Sequence, residues 1–255
     1  LRIAMKEQEA KASRPLRLLS AGAAKGLVEA LAPTWRHEAA AEIIGTFGAV
    51  GAIKEALDAG ASCDVIVLTQ KMIGALADEA RVQVDTVAPL GAVRTGIAVR
   101  DGDSLPDISD AAAFRAALVA ANAIYFPDPA RATAGVHFMN VLQSLGIDGD
   151  VVSHLRPFPN GATAMRALAD EGQRGDIGCT QMTEIRYTRG VAAVGPLPSG
   201  LELTTVYAAA VTRDADDSAI ATRFVTLLTG PRSKEIRVAG GFEPIDVRTQ
   251  QSWVR

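Results

Sequence analysis

Residues 42–69, "EIIGTFGAVGAIKEALDAGASCDVIVLT", carry the reading that decides the fold. An apolar run, "EIIGTF", leads into a segment opened by glycines and closed by Gly60, and "CDVIVLT" follows as a continuous apolar run. Glycine just past the last helical residue is a stop signal. An unbroken apolar run of this length suits a strand buried on both faces of a parallel sheet. Strand, helix, strand in this order is the repeating unit of an α/β domain.

The same alternation extends in both directions. Upstream lie a strand in "RPLRLLSAG" and a helix over about 24–37, where Leu27, Ala30 and Leu31 recur at helical spacing; downstream is the helix "KMIGALADEARV". "GAVRTGIAVR" (91–100) reads as a long strand. After the loop "DGDSLPDIS" the pattern restarts: helix "DAAAFRAALVAA", strand "NAIYF", helix "AGVHFMNVLQSLG", a strand near "VVSHLRPF", helix "GATAMRALADEGQ" and strand "DIGCTQ". A second long strand, "LELTTVYAAAVT" (201–212), precedes two terminal helices. The expected fold class is α/β with two lobes, each a sheet flanked by helices, and a ligand cleft between them. Residues 16–93 with 203–255 form the first lobe, 94–202 the second, and 1–15 a flexible N-terminal segment.

Composition narrows the function. The 26 basic and 29 acidic residues are spread along the chain, leaving no stripe of the kind that binds nucleic acid. No apolar stretch approaches the roughly 20 residues of a membrane span, so no membrane insertion is expected. Cys63 and Cys179 sit far apart in apolar strand contexts and read as buried free thiols. The three histidines are scattered, and neither a cysteine pair with ligand spacing nor a calcium loop is present, so no metal is expected. The order G-x-G-x-x-G is missing from "GTFGAVG", so no nucleotide or other cofactor is expected.

The loops after the strands share one chemistry: "SAGAAKG", "TFGAVG", "LTQK", "DPARATAG", "FPNGATA" and "CTQMTE" are small residues, hydroxyls, glycines and amides leading into helices. Such loops expose N–H groups with the positive end of a helix dipole behind them and bind anions. In "FPDPARATAGVHF" (126–138), Pro127 and Pro129 are expected to end the strand, Thr133 to cap the helix, and Gly135 to let a ligand approach the backbone. The expected ligand-binding set is Lys25, Thr46, Val50, Gly51, Thr69, Arg94, Thr133, Gly135, His137, Asn160, Gly161 and Gln181. Lysine and arginine there suit a carboxylate, which arginine can bind in a fork. Should the site do proton transfer, His137 and Glu184 are the catalytic candidates, whereas Asp128, between two prolines, reads as a turn former.

Across nearly the whole chain from Arg17, "LSAGAAKGL", "GTFGAVGAIKEALDAGASCDVIVLT", "YFPDPARATAGVHF", "GDIGCTQMTEI" and "FVTLLTGPRSKEIRVAGGFEP" resemble the periplasmic molybdate-binding proteins and their type II solute-binding relatives. The resemblance implies capture of a small anion by hinge closure, a periplasmic location, an ABC-type permease as partner and a monomer. Molybdate binders place serine hydroxyls in the first two loops and a tyrosine after the strand that here reads "IGCTQ". This chain has Ala24, Lys25, Ala49, Val50 and Gln181 there, which points to an organic carboxylate or another oxoanion. "DIGCTQMTEI", "VGPLP" and "TTVYAAAV" are also similar to bacterial aconitate isomerases, implying as the alternative a cofactor-free isomerase of a di- or tricarboxylate.

Overall fold

A computed structural model describes residues 14–245; of the expected flexible segment only Arg14 and Pro15 lie within that range, and the last ten residues of the first lobe lie outside it. β1 (Leu16–Ala21) and β3 (Val65–Thr69) are almost wholly buried, as their apolar runs require, and pair in parallel; β2 (Ile43–Gly48) lies on the other side of β1 as an edge strand. α1 (Lys25–Ala39), α2 (Val50–Asp58) and α3 (Gln70–Asp78) follow these three strands in turn. Leu19, Ile66 and Leu68 of the sheet pack with Ile53 of α2 and with Ile73 and Leu76 of α3 in one buried cluster.

β4 (Ala88–Arg100) connects the two halves of the molecule. Its residues Ala88–Arg94 pair with β9 (Thr204–Val211), whereas Thr95–Ala98 pair with β7 (Ile177–Gln181) and Gly96–Arg100 with β8 (Val191–Pro196), all antiparallel. With β5 (Ile124–Pro127) and β6 (Leu155–Phe158) the hydrogen-bonded order is β2-β1-β3-β9-β4-β7-β5-β6, with β8 joined to β4. Two sheets therefore share one long strand rather than standing apart. In the second half, β5 lies parallel between β6 and β7. Pro127, opposite Phe158, is the last residue of the strand, which ends there as expected.

α4 (Ala111–Ala120) and α5 (Thr133–Ser144) cover one face of this second sheet through Phe114, Leu118, Phe138 and Leu142. α6 (Gly161–Glu171) covers the other face. Its Met165 and Leu168 belong to the same core cluster as Leu27, Leu31 and Trp35 of α1 and Phe224 and Leu228 of α8 (Ser218–Thr229), so one core runs through both halves. Trp35 meets Phe224 edge-on, ring centroids 5.0 Å apart. Within that shared core sits α7 (Met182–Tyr187), which packs on β4, α1 and α6. β8 is not foreseen from the pattern, and α7 only as a helix of unstated extent entered through "CTQMTE": six residues are less than two helical turns, too few to show a period. α9 (Lys234–Ala239) follows α8. No helix of the described residues is long and apolar enough to cross a membrane.

Candidate functional site

The loops at the carboxyl ends of β1, β2, β5, β6 and β7 meet at one cavity of about 20 Å3, lined among others by Gly22, Val50, Thr133, Gly161, Gln181, Glu184 and Tyr207. That space holds about one water molecule. A carboxylate or oxoanion is larger than that space. Ligands in open α/β sheets bind beyond the carboxyl ends of strands, which is where this cavity lies.

Helix starts differ in whether a side chain caps them. α3, α4 and α8 begin away from the cavity lining, and each is capped by a side chain: Thr69 accepts from the Met72 N–H (3.3 Å), Asp110 from Ala113 (2.8 Å) and Asp217 from Ile220 (3.0 Å). α2 and α5 begin at the cavity behind Ala49 and Ala132, with no side-chain cap. Four N–H groups at a helix start lack partners within the helix; the Gly51 N–H of α2 is taken by the Arg131 carbonyl, and the other first-turn N–H groups of these two ends, uncapped by any side chain, have positive dipole ends behind them. The expectation of a bare first turn holds for α5, but Thr133 is its first helical residue and Ala132 occupies the cap position, so the expected threonine cap is not formed.

α6 also starts at the cavity, and its donors are engaged. Asn160 accepts from the Thr163 N–H (2.9 Å) and hydroxyl (3.0 Å). Beside it lies the carboxyl of Glu184, 6% exposed. Its Oε2 accepts a 2.6 Å hydrogen bond from Thr180 Oγ1 near the end of β7. A methyl group at Gly22 or Gly161 would collide with this carboxyl, so the two glycines, one from each half of the molecule, make its seat. Burial pushes the Glu184 pKa up, and hydrogen bonds from Thr180 and from the Ala162 and Gln181 N–H groups offset only part of that. Tyr207, facing it from β9, has its own pKa raised by burial and by the nearby carboxylate. Among the described residues no lysine or arginine is paired with Glu184.

Of the expected ligand-binding residues, the cavity lining includes Val50, Thr133, Asn160, Gly161 and Gln181; the others are placed elsewhere, each for a visible reason. Arg94 donates through Nε to Glu243 (2.6 Å) on the exposed outer side of β4. Lys25 turns toward Glu29 (3.8 Å) and the Tyr187 ring. Thr46 is exposed on the edge strand, and Thr69 caps α3. Gly51 donates its N–H to the Arg131 carbonyl (3.1 Å), tying α2 to the loop before α5. Gly135 has no Cβ because the Pro127 and Asp128 carbonyl oxygens occupy that space, so its role is close packing of α5 on the preceding turn. His137 bonds the Leu201 carbonyl through Nε2 (2.8 Å). Asp128 forms its turn, accepting from the Ala130 and Arg131 N–H groups (2.7 and 3.0 Å). Burial raises the Cys63 thiol to about 12 and pushes Cys179 up as well, which leaves both inert. Gly22 and Tyr207 escaped sequence reasoning: the first stands inside a loop already read as anion-binding, the second inside an apolar strand with nothing to mark it.

The family model described as bacterial extracellular solute-binding protein matches residues 16–243. The chain belongs to this family. Its fold is shared with the periplasmic molybdate-binding protein of Azotobacter vinelandii (TM-score 0.74, 18% identity, 91% of this chain and all of that one). The sulfate-binding protein SubI of Mycobacterium tuberculosis is similar too (TM-score 0.70, 17% identity, 94% and 90% covered). By sequence the chain is also similar to an aconitate isomerase of Pseudomonas sp, 24% identical over 236 residues, covering 90% of this chain and 88% of that protein. In this family setting the two bare helix starts and the buried Glu184 lie together in the cleft between two lobes.

Proposed function

We propose that this solute-binding protein captures a small anion, an organic carboxylate or an oxoanion, by closure of its two lobes in the periplasm, and hands it as a monomer to an ABC-type permease. The observation that carries this reading is the pair of uncapped helix starts, α2 from one lobe and α5 from the other, which meet at the same cavity. Each offers N–H donors and a helix dipole to one negative group. The pairing switch in β4 after Arg94 supports hinging between a first lobe of 16–93 with 203–255 and a second of 94–202. The names of the Azotobacter and Mycobacterium neighbours, molybdate- and sulfate-binding, agree with an anionic ligand. The absence of serine at Ala24, Ala49 and Val50 favours a carboxylate over molybdate.

A thermal-shift screen against oxoanions and di- and tricarboxylates tests it. A ligand bound by the folded state alone raises the midpoint with its concentration. If no anion does so, the reading is wrong.

A second reading, isomerisation of a tricarboxylate, is favoured by one observation: a buried carboxyl, Glu184, stands in the cavity with its pKa raised, as a proton-transfer group requires. The similarity to the Pseudomonas isomerase agrees with it. Proton NMR of a bound carboxylate in heavy water separates the two readings. A receptor returns its ligand unchanged, whereas an isomerase exchanges a carbon-bound proton and loses turnover, with little loss of affinity, in Glu184→Gln.

A further inference from the structure

We infer that the ligand of this cleft is an anion that brings a hydrogen-bond donor of its own, a hydroxyl or an acid proton, to meet Glu184 and Gln181. The inference rests on the anion-binding reading and specifies the ligand class. The cavity has two kinds of wall. The starts of α2 and α5 offer N–H donors that no side chain caps, the Gly51 N–H, held by the Arg131 carbonyl, apart. β7 and α7 offer acceptors to the same cavity: Gln181 Oε1, which has no donor among the described residues, and the Glu184 carboxyl, which has only the Thr180 hydroxyl and the Ala162 and Gln181 N–H groups. Gln181 is 3% exposed and lines the cavity; its Nε2 reaches Thr205 Oγ1 (3.5 Å), while its Oε1 has no hydrogen-bond partner. An unpaired acceptor at that depth costs free energy unless a ligand supplies the proton.

Glu184 adds a second acceptor, seated between Gly22 and Gly161. Thr180 already donates to Oε2, and Tyr207 is the titratable group that faces the carboxyl from β9; among the described residues no cation neutralises it. A fully ionised anion pressed against this carboxylate meets repulsion in a desolvated site. A hydroxyl or acid proton converts that repulsion into a charge-assisted hydrogen bond. Proton uptake by Glu184 itself would relieve the repulsion but leave Gln181 Oε1 unpaired, because an amide oxygen has no proton to offer. The shared chemistry is therefore an O–H-bearing anion, whether a hydroxy acid or a protonated oxoanion such as hydrogen phosphate.

Calorimetric titration of the full chain near neutral pH with matched pairs tests this: phosphate against sulfate, malate against succinate, citrate against tricarballylate. Within each pair charge and shape are similar and the donor differs. The expected result is that the O–H-bearing member of any pair that binds does so at least about tenfold tighter, as one hydrogen bond to a charged group provides. The pair that responds separates oxoanion from hydroxy acid. Glu184→Gln, which supplies an amide donor, should narrow the gap by tightening the donor-free member. Equal affinities within every pair overturn the inference and leave the anion reading intact. So does binding of sulfate or succinate with uptake of one proton from the buffer, since Glu184 would then supply the donor. No binding by any anion overturns both. The wild-type pairs decide the matter even if the variant fails to fold.

Discussion

Asp64 and Glu184 are two carboxyls exposed to the same small extent, 5% and 6%, with opposite electrostatics, and Glu184 lies the deeper of the two. Asp64, just ahead of β3, receives the Arg17 backbone N–H (2.8 Å), Arg17 Nε (3.0 Å), Arg17 Nη2 (2.7 Å) and the Asp216 N–H (3.1 Å). Burial pushes its pKa up, but these bonds and the guanidinium charge together hold it below the usual carboxylate range. Glu184 has a hydroxyl and two N–H groups for partners and no cation, and burial keeps its pKa raised. Asp64 is finished within the fold, and it joins the start of β1 to the turn before α8. Glu184 is left wanting a proton or a partner, in a cavity where two helix starts lack side-chain caps. A buried charge completed by its neighbours marks structure; one left incomplete in a cleft marks a place where something else binds.

The largest effect should come from breaking the completed site. Asp64→Asn breaks the Arg17 fork but leaves the guanidinium its second partner, Asp216 (2.8 Å), so it should cost about 2 kcal/mol, as loss of hydrogen bonds between charged groups does. Urea denaturation of both proteins at neutral pH reads it, and a cost below about 1 kcal/mol would show that the pair contributes little. Next in size, Gly161→Ala pushes a methyl into the Glu184 carboxyl and the Thr180 hydroxyl. Both can give way, so the stability cost should stay near 1 kcal/mol while anion binding is lost; retained binding would remove Glu184 from the site.

Stability measured against pH sharpens the contrast through its sign. Asp64, lowered in the folded state, contributes stability that is present above the unfolded aspartate value of about 3.9 and is lost as pH falls through its lower folded value. Glu184, raised in the folded state, contributes stability that is present below the unfolded glutamate value of about 4.3 and is lost as pH rises through its higher folded value. Glu184→Gln should therefore flatten the decline on the rising side and leave in place the acid limb, to which Asp64 contributes together with other lowered carboxylates such as Asp58. Equal flattening of both limbs, or of neither, would contradict the assignment. The smallest effect is expected at Arg94→Ala. Its ion pair with Glu243 is 44% and 45% exposed, so the loss should be under about 1 kcal/mol and fade with added salt. A large loss of anion affinity in that variant would restore Arg94 to the cleft.

The sequence carried the alternation of strands and helices because continuous apolar runs and helix-stopping glycines are local signals, and β1, β3, α2 and α5 lie close to where those signals place them. It also marked the loops that could hold an anion, since small residues after a strand are visible without a fold. Whether such a loop reaches the cleft is a different matter. The loop after β3 shows the same chemistry as the others, yet Thr69 spends its hydroxyl on its own helix. Arg94 looks suited to a carboxylate until Glu243, 149 residues away in the chain, takes its Nε.

By itself, then, the sequence determined an α/β chain of two lobes with anion-friendly turns, since periodicity, turn chemistry and charge balance are properties of neighbouring residues. Only the tertiary structure decided which turns face one another. It brought Gly22 and Gly161, 139 positions apart by their numbers, to either side of Glu184, and it withheld a cation from that carboxyl while giving Arg17 to Asp64. Those outcomes depend on desolvation and on contacts between residues distant in the chain, and neither is written in any local stretch.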